Sequence, residues 1–146
     1  MMGQVTREKL ESYKSMKEEI AELTYKLNHL GEGEGMIGSS VIKDYRSGYP
    51  VPQAIVGVDW EQYDRLKDRY EHRIRDLVNE CTEIEEFTEG ISDSMDRRIF
   101  RMYYIEGRSQ REIGKAVHLD KSNVSRKIEK YFKSQRTQQK QHYNNT

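Results

Sequence analysis

The 146-residue chain balances 25 Lys and Arg against 25 Asp and Glu, and only 34% of its residues are apolar, with a mean hydropathy of −1.01. That polarity excludes a thick globular core and favours an elongated all-α protein, while no apolar run approaches the ~20 residues of a membrane span. No membrane partner and no secretory leader are expected, the single Cys81 excludes a disulfide framework and a thiolate metal set, and a cytoplasmic setting is expected.

Over residues 6–30, Tyr13, Met16, Ile20, Leu23, Leu27 and Leu30 recur at spacings of three and four, which predicts a long first helix with a coiled-coil seam. Residues 31–58 begin GEGEG and hold six of the ten glycines and both prolines, Pro50 and Pro52, so no helix is expected through them. A connection of this length is commonly mobile or functional. Its Ile42, Tyr45, Tyr49, Val51, Ile55, Val56 and Val58 are apolar enough to pack on the flanking helices or to meet a partner.

A second helix is predicted over residues 59–89, with Tyr63, Tyr70, Leu77 and Ile84 at sevens and Trp60, Ile74 and Cys81 filling the other seam position. Cys81 reads there as a small core hydrophobe. At 1.5 Å per residue the two helices would be about 37 and 46 Å long. Similar lengths suit an antiparallel hairpin over residues 1–91, whose remaining apolar surface would be buried against a second copy in a homodimer. A monomer with a purely intramolecular hairpin is the alternative, because seam residues alone do not identify the partner they meet.

Residues 76–96 carry eight acidic side chains and no basic one. They read as a solvated face of the second helix, with repulsion of DNA or docking of a basic partner as the other options. The helix breaks near Gly90, and Ser92, Asp93 or Ser94 can cap a third helix running through Ile105, with Ile99, Met102 and Tyr103 inward and Gly107 ending it.

The stretch over residues 109–130, SQREIGKAVHLDKSNVSRKIEK, suits two short helices crossing through a tight turn, the geometry with which proteins read DNA. Ser109 can cap the first helix and Glu112 can complete a capping box. Ile113, Val117, Leu119, Val124 and Ile128 supply the apolar contacts, and Gly114 permits a close approach of the two axes. His118 falls in the turn, where it would tolerate a positive φ better than most residues. Asp120 reads as the second N-cap, so Lys121, Ser122, Asn123, Ser125 and Arg126 cluster on the first turns of the second helix. Arg126 could grip guanine and Asn123 adenine, while Lys127, Lys130 and Lys133 suit phosphates. Ser109, Gln110 and Arg111 at the start of the first helix complete the candidate DNA-binding set.

Charge is divided accordingly. Residues 97–146 hold 13 Lys and Arg against 4 Asp and Glu, a net of +9, whereas residues 1–96 hold 12 against 21, a net of −9. That division points to a helix-turn-helix module over residues 92–133, followed from residue 134 by a frayed, flexible polar tail. No enzymatic constellation stands out: His29, His72, His118 and His142 are scattered, and GEGEG lacks the strand and the following Lys-Ser/Thr of a phosphate cradle. Neither a cofactor nor a metal is expected.

Residues 95–132, MDRRIFRMYYIEGRSQREIGKAVHLDKSNVSRKIEKYF, resemble the helix-turn-helix with which primary sigma factors bind the upstream promoter element, in the arginine run, the Tyr-Ile-Glu-Gly turn and the Ser-Gln-Arg-Glu-Ile opening. His118 stands where such turns usually have Gly, and Gly114 where they usually have Ala. The full layout is similar to the small RinA/ArpU-type transcriptional regulators of phages and prophages. The resemblance implies an activator or regulator of late phage genes that contacts double-stranded DNA through residues 121–130; host RNA polymerase is a further candidate partner. A small-terminase-like DNA-packaging subunit and a nonenzymatic coiled-coil adaptor are the alternatives.

Overall fold

The computed structural model describes residues 5–31 and 59–144. Every regular element among the described residues is helical: α1 (Arg7–Glu11), α2 (Tyr13–Asn28), α3 (Trp60–Glu89), α4 (Ser94–Phe100), a π-helical turn (Arg101–Ile105), α5 (Gln110–Val117) and α6 (Lys121–Asn144). None of these helices is long and apolar enough to cross a membrane. The expectations for residues 32–58 lie outside the described residues.

Local hydrogen bonds set the boundaries. Thr6 caps α1 by accepting the Lys9 N–H at 3.2 Å. The Ser12 hydroxyl then donates to the Lys9 carbonyl at 2.6 Å, and Ser12 divides what was expected as one helix into α1 and α2. Asp59 opens α3 by accepting the Gln62 N–H at 3.1 Å. Of the three candidate caps for the third helix, Asp93 serves, accepting the Asp96 N–H at 2.9 Å.

Two stretches depart from the course expected of them. After Phe100 the helix widens into the π-helical turn, where the Glu106 N–H reaches back five residues to the Arg101 carbonyl at 2.9 Å. The wide turn puts Met102 and Tyr104 in the core with Ile99 and Phe100, while Tyr103 is only half-buried. Gly107, at φ +70°, ends it and lets the Arg108 N–H bond the Met102 carbonyl at 2.9 Å. The second departure is the tail expected to fray from residue 134, because α6 continues to Asn144. Its Gln, Arg and Lys residues are good helix formers and no Gly or Pro interrupts them.

The chain divides into two compact units, one of Met1–Met16 with Asn79–Thr146 and the other of Lys17–Val78. The boundary expected at residue 91 from charge and periodicity thus differs from the one that packing draws. In the first unit Leu10, Tyr13, Cys81, Ile84, Ile91, Ile99, Phe100, Ile113, Val124 and Ile128 are all buried. Phe100 is the hub, with ring centroids of Tyr131 at 4.8 Å, Tyr104 at 5.5 Å and Phe132 at 5.7 Å. The Tyr104 hydroxyl is buried without a hydrogen-bond partner, and burial pushes its pKa up to about 12. Polar contacts fasten the N-terminal segment: Lys9 pairs with Glu83, and the Tyr13 hydroxyl donates to the Glu85 carboxylate at 3.0 Å. Two members of the acidic run therefore take part in packing, while Glu80, Glu86, Glu89 and Asp93 are exposed as a solvated face requires.

In the second unit the expected seam is present but less covered. Ile20, Leu23, Leu27, Leu30, Tyr63, Tyr70 and Ile74 are half-buried, together with Leu66, which the sevenfold pattern had passed over. Trp60, expected in the seam, is 62% exposed and meets Tyr63 edge-on at 5.5 Å. It is the first residue of α3, so neighbouring turns cover it from one side only.

Leu10 is 1% exposed, so its contribution to the first unit is a core contribution despite its position near the start of the chain. Leu10→Ala should cost about 2–5 kcal/mol by transfer and cavity terms. Denaturant unfolding would report the loss. Hydrogen exchange should show it at the amides of Ile113, Val124 and Ile128, and unchanged protection there would contradict a shared core.

Candidate nucleic-acid interface

α5 begins as its sequence requires, with the Ser109 hydroxyl oxygen accepting the Glu112 N–H at 3.2 Å. It ends at His118, which adopts the left-handed conformation at φ 61°, ψ 43°, and the N–H groups of His118 and Leu119 both return to the Gly114 carbonyl. This turn brings the Leu119 carbonyl oxygen onto Gly114 so closely that a Cβ there would overlap it. The glycine is thus required by the approach of the turn rather than by that of the two helix axes. α6 then starts at Lys121, with the Asp120 carbonyl accepting the N–H groups of Asn123 and Val124 at 3.0 Å each. Ile113, Val117, Val124 and Ile128 are buried as expected, and Leu119 is half-buried.

With Val124 and Ile128 inward, the 3.6-residue period puts Ser122, Arg126, Lys130 and Lys133 on the outward side of α6, and all four are exposed. Lys121 is exposed at the first turn, and Asn123 is half-buried beside the outward stripe. An Arg126 guanidinium nitrogen donates to the Asn123 side-chain oxygen at 3.3 Å, so the two candidate base-reading residues already lie together. Ser125 and Lys127 are half-buried on the two flanks of the helix and do not share the stripe. On α5, Arg111 is exposed, Gln110 half-buried and Ser109 occupied as the cap.

Charges around α6 were only partly visible in the sequence. The Asp96 carboxyl is raised above the usual range, chiefly by burial and then by the Asp93 carboxylate, while the positive charges of Lys127 and Lys130 pull it back down. Arg98 approaches the Ala116 carbonyl at 3.5 Å near the end of α5. Glu106 takes up two nearby arginines, Arg101 at 3.2 Å and Arg108 at 2.9 Å. From α1, an Arg7 guanidinium nitrogen lies 2.6 Å from a Glu129 carboxylate oxygen, and its guanidinium carbon lies 5.1 Å from the Phe132 ring centroid. Sequence reasoning missed Arg7 because nothing in a local pattern relates residues 122 positions apart.

Among the described residues no group of three or more His, Cys, Asp or Glu is placed to hold a metal ion. Comparison with protein-family models, with curated proteins and with solved structures found no match.

The turn predicts opposite tolerances at two neighbouring positions. Gly114→Ala should lower stability by about 2 kcal/mol or more, because the opposing atom is backbone and cannot swing away. His118→Gly should stay within about 1 kcal/mol of the original, since relief of the left-handed strain offsets the entropy a glycine adds to the unfolded chain. Thermal unfolding of the two variants checks both, and a harmless Gly114→Ala would contradict the close approach.

Proposed function

We propose that the chain is a sequence-specific regulator of transcription that binds double-stranded DNA, inserting the start of α6 into the major groove. The observation that carries the reading is the outward stripe of Ser122, Arg126, Lys130 and Lys133, directly after a turn whose geometry tolerates no side chain at residue 114. Arg126, with Asn123 beside it, supplies the donor and acceptor groups suited to base edges, and the lysines supply sequence-independent attraction to phosphates. The helix-turn-helix so defined is sigma-like, and with the RinA/ArpU resemblance it makes a phage or prophage late-gene activator the specific assignment. It acts in the cytoplasm without catalysis, and host RNA polymerase is its further partner.

The half-covered seam supports the other part of the reading. We assign the helices on either side of residues 31–58 to an antiparallel hairpin that forms a homodimer by sharing Leu23, Leu27, Tyr70 and Ile74 with a second copy, since half-buried residues of this size gain further burial on association. A two-fold dimer would place its reading helices on half-sites about one helical turn, ~34 Å, apart.

Selection of bound sequences from random DNA by the full chain tests the DNA reading. Arg126→Ala should cost about 1–3 kcal/mol at the selected site and relax one base preference, whereas Lys130→Ala should weaken specific and random DNA alike and lower the salt slope by about one. An absence of enrichment together with an affinity indifferent to salt would overturn the assignment.

Sedimentation tests the assembly independently. The wild-type chain should sediment as a dimer at micromolar concentration, and Leu23→Asp should convert it to a monomer by placing a carboxylate in the shared seam. A wild-type monomer would remove the dimer and leave the DNA reading standing, while a large ring would favour a packaging subunit.

A further inference from the structure

α6 from Lys121 to Asn144 contains seven Lys and Arg and one acidic residue, Glu129. Glu129 follows Ser122 by seven positions and Arg126 by three and precedes Lys133 by four, so it shares their stripe rather than the buried side of the helix. On a surface that meets phosphates a carboxylate in that row repels the ligand, and pairing with the lysines and arginines of its own helix would take charge from the stripe.

The reason comes from the other end of the chain. Arg7 reaches Glu129 at 2.6 Å, lies over the Phe132 ring at 5.1 Å, and also meets Glu11 of its own helix at 3.3 Å. Its backbone is fixed by Leu10, which is fully buried, and by Lys9, which pairs with Glu83. A guanidinium held on both sides by packing and hydrogen bonds is a preorganised countercharge, unlike a surface lysine that finds a carboxylate only part of the time.

We propose that Arg7 is a positioning residue of the DNA-reading surface: it holds the Glu129 carboxylate to one side of the stripe and neutralises it against approaching phosphates. The inference rests on the DNA reading given above and adds to it a residue outside the helix-turn-helix. It gives the N-terminal helix a part in recognition as well as in folding, because truncation or substitution at residue 7 alters the charge that α6 presents.

A simple staple between α1 and α6 makes the opposite prediction, and a double substitution in the full chain separates the two. Arg7→Met keeps an aliphatic stem against Phe132 and removes the charge, and Glu129→Gln keeps the size and removes the repulsion. Affinity for the selected duplex and for random duplex is measured by fluorescence anisotropy at several salt concentrations, with thermal melting followed for every variant.

Arg7→Met should bind both duplexes roughly three- to tenfold more weakly at ~0.1 M salt, and the deficit should shrink as screening increases. Glu129→Gln should bind at least as tightly as the wild type. The double variant should return to within about twofold of Glu129→Gln even where its melting temperature stays low, because without the Glu129 carboxylate Arg7 has no charge in the stripe to hold aside or neutralise. Wild-type affinity in Arg7→Met, or a double variant no tighter than Arg7→Met, would overturn the proposal and leave the DNA reading intact. A wild-type chain with no salt-dependent affinity for either duplex would overturn the DNA reading, and this inference with it.

Discussion

The contact between Gly114 and the Leu119 carbonyl fixes the geometry on which the candidate interface depends. It allows α5 to end in one left-handed residue, His118, and α6 to begin three positions later. The direction in which α6 leaves the turn determines which of its side chains meet Ile113 and Val117 and which face outward. A larger residue at 114 would push the turn away and rotate the row of Ser122, Arg126 and Lys130. Strain of about 1 kcal/mol at His118 is compatible with this arrangement because two N–H groups close onto the Gly114 carbonyl and satisfy the end of α5.

That turn would be a thin structure by itself. α5 has eight residues, and α4 with the π-helical turn adds twelve more, too few to bury a core around Phe100. The missing apolar surface comes from both earlier ends of the chain: Leu10 and Tyr13 from the N-terminal helices, and Cys81, Ile84 and Ile91 from the far part of α3 and the segment after it. A small helical module thus recruits remote segments to reach sufficient burial, and in doing so brings Arg7 to α6. Folding and the electrostatics of the interface are joined by one helix of five residues.

Sequence reasoning succeeded where the determinant is local. The caps at Asp93 and Ser109, the positive φ at His118 and the buried pairing of Ile113, Val117, Val124 and Ile128 all follow from residues within one or two turns of each other. It failed where the determinant is distant or depends on hydrogen-bond choice. Leu10 does not continue the seam through Tyr13 and Met16, and its burial depends on the module 70 or more residues further on. The π-helical turn differs from an α-helix by one carbonyl partner, which hydrophobic periodicity over five residues does not resolve. Trp60 matched the seam by spacing, yet as the first residue of α3 it has turns of its own helix on one side only. The extension of α6 beyond Ser134 was hidden because a polar helix has propensity without periodicity.

The zero net charge of the chain conceals a sorting of charges in space as well as along the sequence. Individual pairs of this exposed kind contribute about 0–1 kcal/mol each, so stability alone does not account for their arrangement. Their placement follows the basic surface instead. Around the module Glu106 is shared by Arg101 and Arg108, Glu129 is met by Arg7, and Glu83 is met by Lys9. Of the exposed carboxylates, Glu80, Glu86 and Glu89 belong to α3, Glu112 to α5, and Asp120 stands in the turn before α6. Field strength falls off over about 8–10 Å at physiological salt, so the carboxylate with the greatest effect on a phosphate is one that stands in the same row of side chains as the lysines and arginines. In α6 only Glu129 does so, and it is the one that receives a guanidinium from a helix more than a hundred residues earlier in the chain.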